Sequence, residues 1–278
     1  MKFKIITSIF LIKFIFAIGL EGLNIPISSD ALSTHNFIGL GTYNFNEIFN
    51  SKSYLEYNSR KWLPGFSGHS ILWKNSDNFI KAIIFETLKD DEVYYHSDIP
   101  NDNNQHKLPA SWYSGSLFTG KVFYNIQAGL ELKSFASLLY TEKIYGLCAN
   151  LFLSNRINNN LVINISLNNN GIMFGDFNNQ NLPVQIALQL RNQFSNIPLL
   201  IGLGVKNSSL EKSRNLVINY NFKYIKINTS INYIYNNYIQ YAGGINFLYN
   251  NWHIGYSLST QKSSTLGIPQ IISLRYNF

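Results

Sequence analysis

Charged residues are scarce in this 278-residue chain, where Lys, Arg, Asp and Glu together make up 13% of the sequence. Ordinary soluble domains contain about 25% of them. Yet the mean hydropathy is only −0.05 and 15% of residues are aromatic. This combination is typical of membrane-spanning strands that alternate apolar residues with uncharged polar ones. The alternative is an ordinary β-protein whose composition has drifted toward Asn, Ile, Lys and Tyr, but drift does not explain alternation.

Cysteine is almost absent. The chain contains a single cysteine, Cys148, which excludes an intramolecular disulfide and a zinc–cysteine cluster. Because Cys148 lies among apolar neighbours in a strand-like run, we interpret it as a small packed hydrophobic residue rather than as a reactive thiol.

Long apolar runs are missing after the first twenty residues. Residues 1–4 are basic and 5–20 are mostly apolar, with small residues near Gly19, which predicts an export signal over residues 1–19. No stretch of 18 or more apolar residues follows, so a helical span is not expected. Since only helices and closed barrels satisfy their backbone groups in lipid, a membrane protein with this sequence is expected to be a barrel. Its modest, dispersed positive charge does not favour nucleic-acid binding.

The chain ends in a strand-like stretch with period-two alternation. Its polar positions are Ser273, Arg275 and Asn277. Side chains alternate between the two faces of a strand, so this stretch has one apolar and one polar face. The pattern resembles the C-terminal assembly signal of bacterial outer-membrane barrels; the last strand of a soluble β-protein is the alternative. The predicted signal residues are Ile272, Leu274, Tyr276 and Phe278.

Similar alternating runs recur along the chain and predict about 14 strands of a transmembrane antiparallel β-barrel. Between Tyr224 and Ile225 the apolar residues switch from even to odd positions, which predicts a tight turn there. If the C-terminus is periplasmic, the longer breaks all fall outside and the short turns all fall inside, as these barrels require. The longer breaks are 89–111, 173–182, 207–214 and 261–267. The short turns lie near 75–77, 123–125, 158–160, 195–197, 224 and 250–251.

These patterns predict three regions: a signal peptide over 1–19, an N-terminal segment over 20–50 that lies in or under the barrel as a hatch, and a transmembrane barrel over 51–278. The expected location is the outer membrane. There the barrel would contact membrane lipid, and Phe278 would lie at the periplasmic rim for the barrel assembly machinery to read.

Candidate chemical sites are few. Residues 115–122 nearly match a phosphate-binding loop, but Val122 stands where Ser or Thr must hold magnesium. The acid-rich stretch 86–102 is interpreted as a solvated external loop rather than as a calcium site. The five histidines are scattered, without metal-ligand spacing. We therefore predict that the protein is not an enzyme and has no catalytic, cofactor-binding or metal site.

Basic residues on the polar faces of the strands are expected to point into the lumen. They could tune the passage of anions or pair with Glu131 and other lumenal groups, and the sequence does not separate these alternatives. The residues are Arg191, Lys206, Lys223, Lys226 and Arg275.

Residues 128–150 contain a G-x-x-L-K strand and a second strand, and residues 164–171 contain a segment like x-x-N-x-G. In these segments the middle of the chain resembles the PorV/PorQ family of outer-membrane barrels. Residues 182–203 are similar to its L-P-x-x-x-x-x-G strand and the next one, with PorQ the nearest in character. The start, 23–32 followed by 39–41, is similar to the family's start. Two departures are Asn150, where the family often has Asp, and the missing N-P-A-like segment near Tyr57–Arg60.

The resemblance implies a FadL-like barrel of 14 strands associated with type IX protein secretion, with secretion components and cargo as partners. It implies no catalytic residues. The hypothesis is therefore an accessory outer-membrane component of type IX secretion. The alternative is a FadL-like channel for hydrophobic or small solutes.

Overall fold

The computed structural model describes residues 22–38, 40, 52–63, 66–75, 78–90, 94–95, 106–107, 110–139, 142–175, 180–209, 211–235, 238–260 and 268–278. The predicted signal peptide lies outside these residues. Within the described part of the chain, no helix has the length and apolar character needed to cross a membrane.

Fourteen long antiparallel strands dominate the structure. They are β1 (Tyr54–Leu63), β2 (Phe66–Lys74), β3 (Ile80–Asp90), β6 (Ala110–Phe123), β7 (Ile126–Leu139), β8 (Glu142–Arg156), β9 (Leu161–Gly175), β11 (Gln185–Gln193), β12 (Leu199–Ser208), β13 (Lys212–Asn221), β14 (Ile225–Ile234), β15 (Tyr238–Tyr249), β16 (Trp252–Ser259) and β17 (Gln270–Asn277). Three two-residue strands, β4 (Tyr94–Tyr95), β5 (His106–Lys107) and β10 (Gln180–Asn181), lie between them.

The long strands close into a barrel. Each pairs with its neighbours along the chain, and β17 pairs with β1 from Tyr54↔Asn277 to Lys61↔Gln270. Closure leaves no long strand with an unpaired edge, which is how a β-structure satisfies its backbone groups in lipid. The predicted fold class, an antiparallel β-barrel of about 14 strands, is confirmed.

The connections sort between the two ends of the barrel. At the end where the chain terminates, here named the C-terminal rim, all connections are short and lie at the predicted turns. Asn250, in one of these turns, has a φ of 53°, a conformation that Asn tolerates. The strands that flank the four predicted longer breaks end at the opposite rim, as predicted. The break predicted over 207–214 is shorter than expected, because β12 extends to Ser208 and β13 begins at Lys212. At the same rim, strands are also separated by only two or three residues at 64–65, 140–141 and 235–237.

The two faces of the wall differ in polarity as the alternation predicts. In β17, Ile272 is 55% exposed on the outer face, while Ile271 and Ser273, on the inner face, are 0% and 6% exposed. Across the barrel the exposed large side chains are mostly aliphatic or aromatic, and many buried ones are Ser, Asn or Gln. An apolar exterior and a polar interior are the arrangement of a transmembrane barrel.

The interior of the barrel is filled by the N-terminal segment. Residues 22–38 and 40, here named the plug, pack against the inner wall through several apolar clusters. Phe37 and Leu40 contact Leu200 and Val217, and Leu23 and Ile25 pack against a larger cluster of wall residues. Cys148 is buried in that larger cluster, as a packed hydrophobic residue would be.

Candidate functional site: the plug and the barrel interior

The plug contains one short helix, which is followed by a series of tight turns. A 3-10 turn, Gly22–Asn24, leads into an extended stretch and then α1, Ser29–Ser33. The Ser28 side chain caps α1 by accepting a hydrogen bond from the Ala31 amide at 3.2 Å, which satisfies one of the free donors of the first turn. His35 and Asn36 then take positive φ angles of 50° and 54° and end the helical path.

Asp30 joins the plug to the wall through an ion pair and two hydrogen bonds. Its carboxylate accepts hydrogen bonds from the Asn228 and Asn246 amides at 2.7 and 3.0 Å and forms an ion pair with Lys226 at 3.0 Å. Burial raises the pKa of Asp30, but the charges of Lys226 and Arg275 and these hydrogen bonds outweigh it, so the pKa lies below its usual value. Asp30 is therefore held ionised.

Glycines in the wall let α1 approach closely. A Cβ atom on Gly255 would lie 2.2 Å from Ser29 Oγ, and one on Gly244 would lie 2.8 Å from Ser33 Cβ. The same face of the helix is hydrogen-bonded to the wall: the Ser29 amide donates to Ser273 at 2.8 Å, and Ser230 Oγ donates to the Ser33 carbonyl at 2.6 Å. The close fit places α1 directly against β14–β17.

The stretch after α1 is held by polar side chains of the wall. Lys206 donates to the His35 carbonyl at 2.6 Å, and Gln189 accepts from the Ile38 amide at 2.6 Å. His35 Nδ1 lies 2.7 Å from Ser230 Oγ, whereas its Nε2 is buried with no hydrogen-bond partner among the described atoms. Burial lowers the pKa of His35 to about 3, with a further contribution from the charge of Lys206, so the imidazole is neutral.

The stretch before α1 is tied to a buried charge network. Arg60 donates to the Pro26 carbonyl at 3.3 Å and pairs with Glu86 at 3.1 Å. Glu86 also pairs with Lys133 at 2.6 Å and accepts a hydrogen bond from Ser114. Because Arg60, Glu86 and Lys133 are all at least 93% buried, the two cations share the Glu86 carboxylate away from solvent, and the charge of the buried Glu131 also acts on Lys133. The plug is thereby coupled to β1, β3 and β7.

Two cavities flank the plug. The first, about 430 Å³, lies toward the C-terminal rim and has a polar lining that includes Asp30, Lys226, Arg191 and Arg275. The second, about 400 Å³, lies on the other side and combines apolar plug residues and Trp62 with amide side chains. Both volumes fall within the range of about 300–1,000 Å³ that small-molecule sites occupy.

The structure places most of the predicted lumenal cations as expected. Arg191, Lys206, Lys226 and Arg275 face the interior. The prediction for Lys223 is wrong: it is exposed in the turn after β13, with its Nζ 5.0 Å from the centre of the Tyr224 ring. The alternation of inward and outward side chains ends with the strand. Continuing the alternation into the turn assigned Lys223 to the wrong face.

The assignment of Glu86 to an external loop is also wrong. Residues 86–90 belong to β3, and Glu86 points into the barrel. Sequence reasoning missed Asp30, Arg60, Glu86 and Lys133 as an interior set. For the three wall residues, Arg60, Glu86 and Lys133, the available signal was a charged residue at an inward position of a strand. Glu131, expected to pair with lumenal cations, accepts a hydrogen bond from the Asn150 amide at 2.7 Å.

The predicted assembly signal lies on the closing strand. Ile272, Leu274 and Tyr276 point outward from β17, and Phe278 follows at the C-terminal rim, where its amide donates to the Ser53 carbonyl at 3.0 Å. This is the position that an assembly signal would occupy; its role in assembly stays a prediction.

Solved structures with this architecture are outer-membrane β-barrels. A TodX mutant described as a monoaromatic hydrocarbon channel aligns over 91% of this chain and 99% of its own, with a TM-score of 0.61 and 9% identity. KdgM porin aligns over 81% and 99%, with a TM-score of 0.44 and 12% identity. No family model and no curated protein matches the sequence. At such identities the likeness shows the fold alone, a closed antiparallel β-barrel of 14 strands like those of outer-membrane proteins.

Proposed function

We propose that this protein is an outer-membrane channel for small solutes that the plug holds closed. The observation that carries the proposal is the position of the plug, which crosses the interior with a cavity of about 400 Å³ on either side. Cavities of this size can hold a small molecule. The TodX mutant, with the same fold, is itself described as a channel.

The contacts between plug and wall suit a gate that can open. Polar contacts through Asp30, Ser29 and Ser33 hold α1. Water can replace each of these hydrogen bonds once the plug moves, so each neutral bond contributes only about 0.5–1.5 kcal/mol net and each bond to the Asp30 carboxylate about 1.5–3 kcal/mol. The barrel wall closes independently of the plug, through β17 and β1.

A reversible cross-link tests the gate directly. A Cβ on Gly255 lies 3.2 Å from Ser29 Cβ, close to the spacing of about 3.5–4.5 Å in disulfides. In liposomes, the Ser29→Cys/Gly255→Cys variant, made in a Cys148→Ala background, should pass fewer small solutes when oxidised than when reduced, because only the reduced plug can leave the wall and open the channel transiently. Each single-cysteine variant is the matched control. Equal permeation in both redox states would show that the plug is not the gate.

The second candidate is an accessory role in type IX protein secretion, supported by the PorV/PorQ resemblance over 22–42 and 128–206. In this case the plugged barrel serves secretion components and cargo as an outer-membrane partner, without carrying solutes. Deletion of the gene should then impair surface display of secreted cargo and leave small-solute uptake intact. Normal secretion in the deletion strain argues against this role.

A further inference from the structure

We propose that Lys226, Asn228 and Asn246 form a carboxylate-binding site in the barrel wall, and that Asp30 of the plug occupies it as an internal ligand. A small carboxylate solute then competes with the plug for this site. The inference deepens the proposed function, on which it rests, because it names the chemical class of solute that opens the channel.

The three donors match both oxygens of one carboxylate. Asp30 Oδ1 accepts from Asn228 Nδ2 and Asn246 Nδ2, and Oδ2 accepts from Lys226 Nζ. Two amide donors on one oxygen and an ammonium on the other give charge-assisted hydrogen bonds, which are stronger than neutral ones. The positive charge of Arg275 also acts on the same carboxylate.

The donors belong to the wall and not to the plug. Lys226 and Asn228 lie on β14 and Asn246 on β15, and Lys226 is directly paired with Asn246 in the ladder between these strands. Adjacent strands fix such a spacing, so the site keeps its shape when Asp30 leaves. Departure of Asp30 with nothing in its place would leave Lys226 without its carboxylate partner, which favours exchange for another carboxylate.

A solute can reach this site through the first cavity. Asp30, Lys226 and Asn246 all line that cavity of about 430 Å³, whose lining extends to residues of the C-terminal rim such as Asn159 and Asn221. Its described lining holds four Lys or Arg side chains, Arg156, Arg191, Lys226 and Arg275, and two carboxylates, Asp30 and Glu56. The excess of positive charge attracts an anion rather than a cation.

Asp30 belongs to the same chain as its binding site, so a free carboxylate must compete with a ligand that is always nearby. A group attached to the same chain competes at an effective concentration in the millimolar range or above. A simple carboxylate such as acetate therefore binds the wild-type barrel weakly, and removal of the Asp30 side chain should expose the site at its full affinity.

The test uses the full-length barrel, with sodium acetate as the probe and sodium chloride as the ionic-strength control. Binding is measured by calorimetry and by the acetate dependence of thermal unfolding. Asp30→Ala should bind acetate at least tenfold more tightly than the wild type. Adding Lys226→Gln to Asp30→Ala should abolish the gain, whereas adding Lys223→Gln, which changes an exposed lysine in the preceding turn, should preserve it. If Asp30→Ala fails to insert, Asp30→Asn keeps the side-chain volume and should show the same order.

The result that overturns the site is an Asp30 variant that binds acetate no better than the wild type, or that keeps its gain after Lys226→Gln. Rejection of the carboxylate site can be told apart from rejection of the proposed channel function. Acetate binding with no permeation in the reduced Ser29/Gly255 cysteine pair supports the site and rejects the channel. Permeation without acetate binding retains the channel and rejects the site.

Discussion

The buried charge network around Glu86 offers the most direct test of what stabilises the barrel. Glu86 neutralises both Arg60 and Lys133, at 3.1 and 2.6 Å, and all three side chains are nearly inaccessible. The substitution Glu86→Gln keeps the size of the side chain and one acceptor oxygen while removing the charge. Arg60 then loses its described ion-pair partner, and Lys133 keeps only the charge of Glu131.

The expected loss of stability follows from the burial of these three side chains. Removing one partner of a buried ion pair typically destabilises a protein by about 3–5 kcal/mol, because the remaining charge is left uncompensated. Glu86→Gln should therefore lower the free energy of unfolding of the barrel by about 3–5 kcal/mol. Removal of one cation as well should relieve part of the loss: in a Lys133→Gln background, Glu86→Gln should cost at least about 1 kcal/mol less than it does alone.

Reversible urea unfolding in lipid vesicles, followed by Trp fluorescence, measures these differences. Glu142→Gln removes a carboxylate near the opposite rim of the same wall and should change the free energy of unfolding by less than about 0.5 kcal/mol. If Glu86→Gln costs less than about 1 kcal/mol, water in the lumen screens the network and the reasoning from burial is wrong. Additive effects of Glu86→Gln and Lys133→Gln would show that the two side chains do not interact.

Three further predictions concern the plug and the closing strand. The plugged state should lose stability as the pH falls below about 6.5, by up to about 1.4 kcal/mol per pH unit. The reason is that His35 binds a proton near pH 6.5 when the plug is released, but only near pH 3 when it is buried. Limited proteolysis between pH 7 and 4 should show the loss of stability. His35→Asn should remove this pH dependence. Gly202→Val should displace the plug, since a Cβ there lies 2.6 Å from Phe37 Cζ, and raise solute permeation, whereas Gly243→Ala, whose Cβ meets its nearest atom at 3.9 Å, should not. Phe278→Ala should reduce insertion more than any lumenal substitution, as measured by heat-modifiable mobility in outer-membrane fractions.

The strands of the barrel wall could be predicted because each one is encoded by residues that are close together in the sequence. Alternation with period two needs only neighbouring residues, and a lipid-facing exterior imposes it along every strand. The switch of apolar parity between Tyr224 and Ile225 located the turn between β13 and β14. The errors arose where local rules end: Lys223 lies just past the end of a strand, and Glu86 belongs to a strand that runs into an acid-rich connection.

The site inside the barrel was not predictable in the same way. Asp30 is separated from Lys226 and Asn246 by 196 and 216 residues. Nothing in a single sequence states which wall residues a segment will meet after the barrel closes. Asp30 also lies in a stretch rich in Ser, Thr and Asn, residue types that line the wall as well, so composition did not distinguish plug from wall.

The low charge of the chain gives its few interior charges a large influence. Most plug–wall contacts join hydroxyl, amide and backbone groups, which are individually weak and readily exchanged for water. A buried carboxylate differs, because its departure leaves a cation without a partner in a poorly solvated space. Glu86 meets this condition in the wall, and Asp30, whose side chain is 13% exposed toward the first cavity, is the carboxylate that pairs with a cation at the plug. The closed state should therefore depend on these two carboxylates far more than on the number of hydrogen bonds around them.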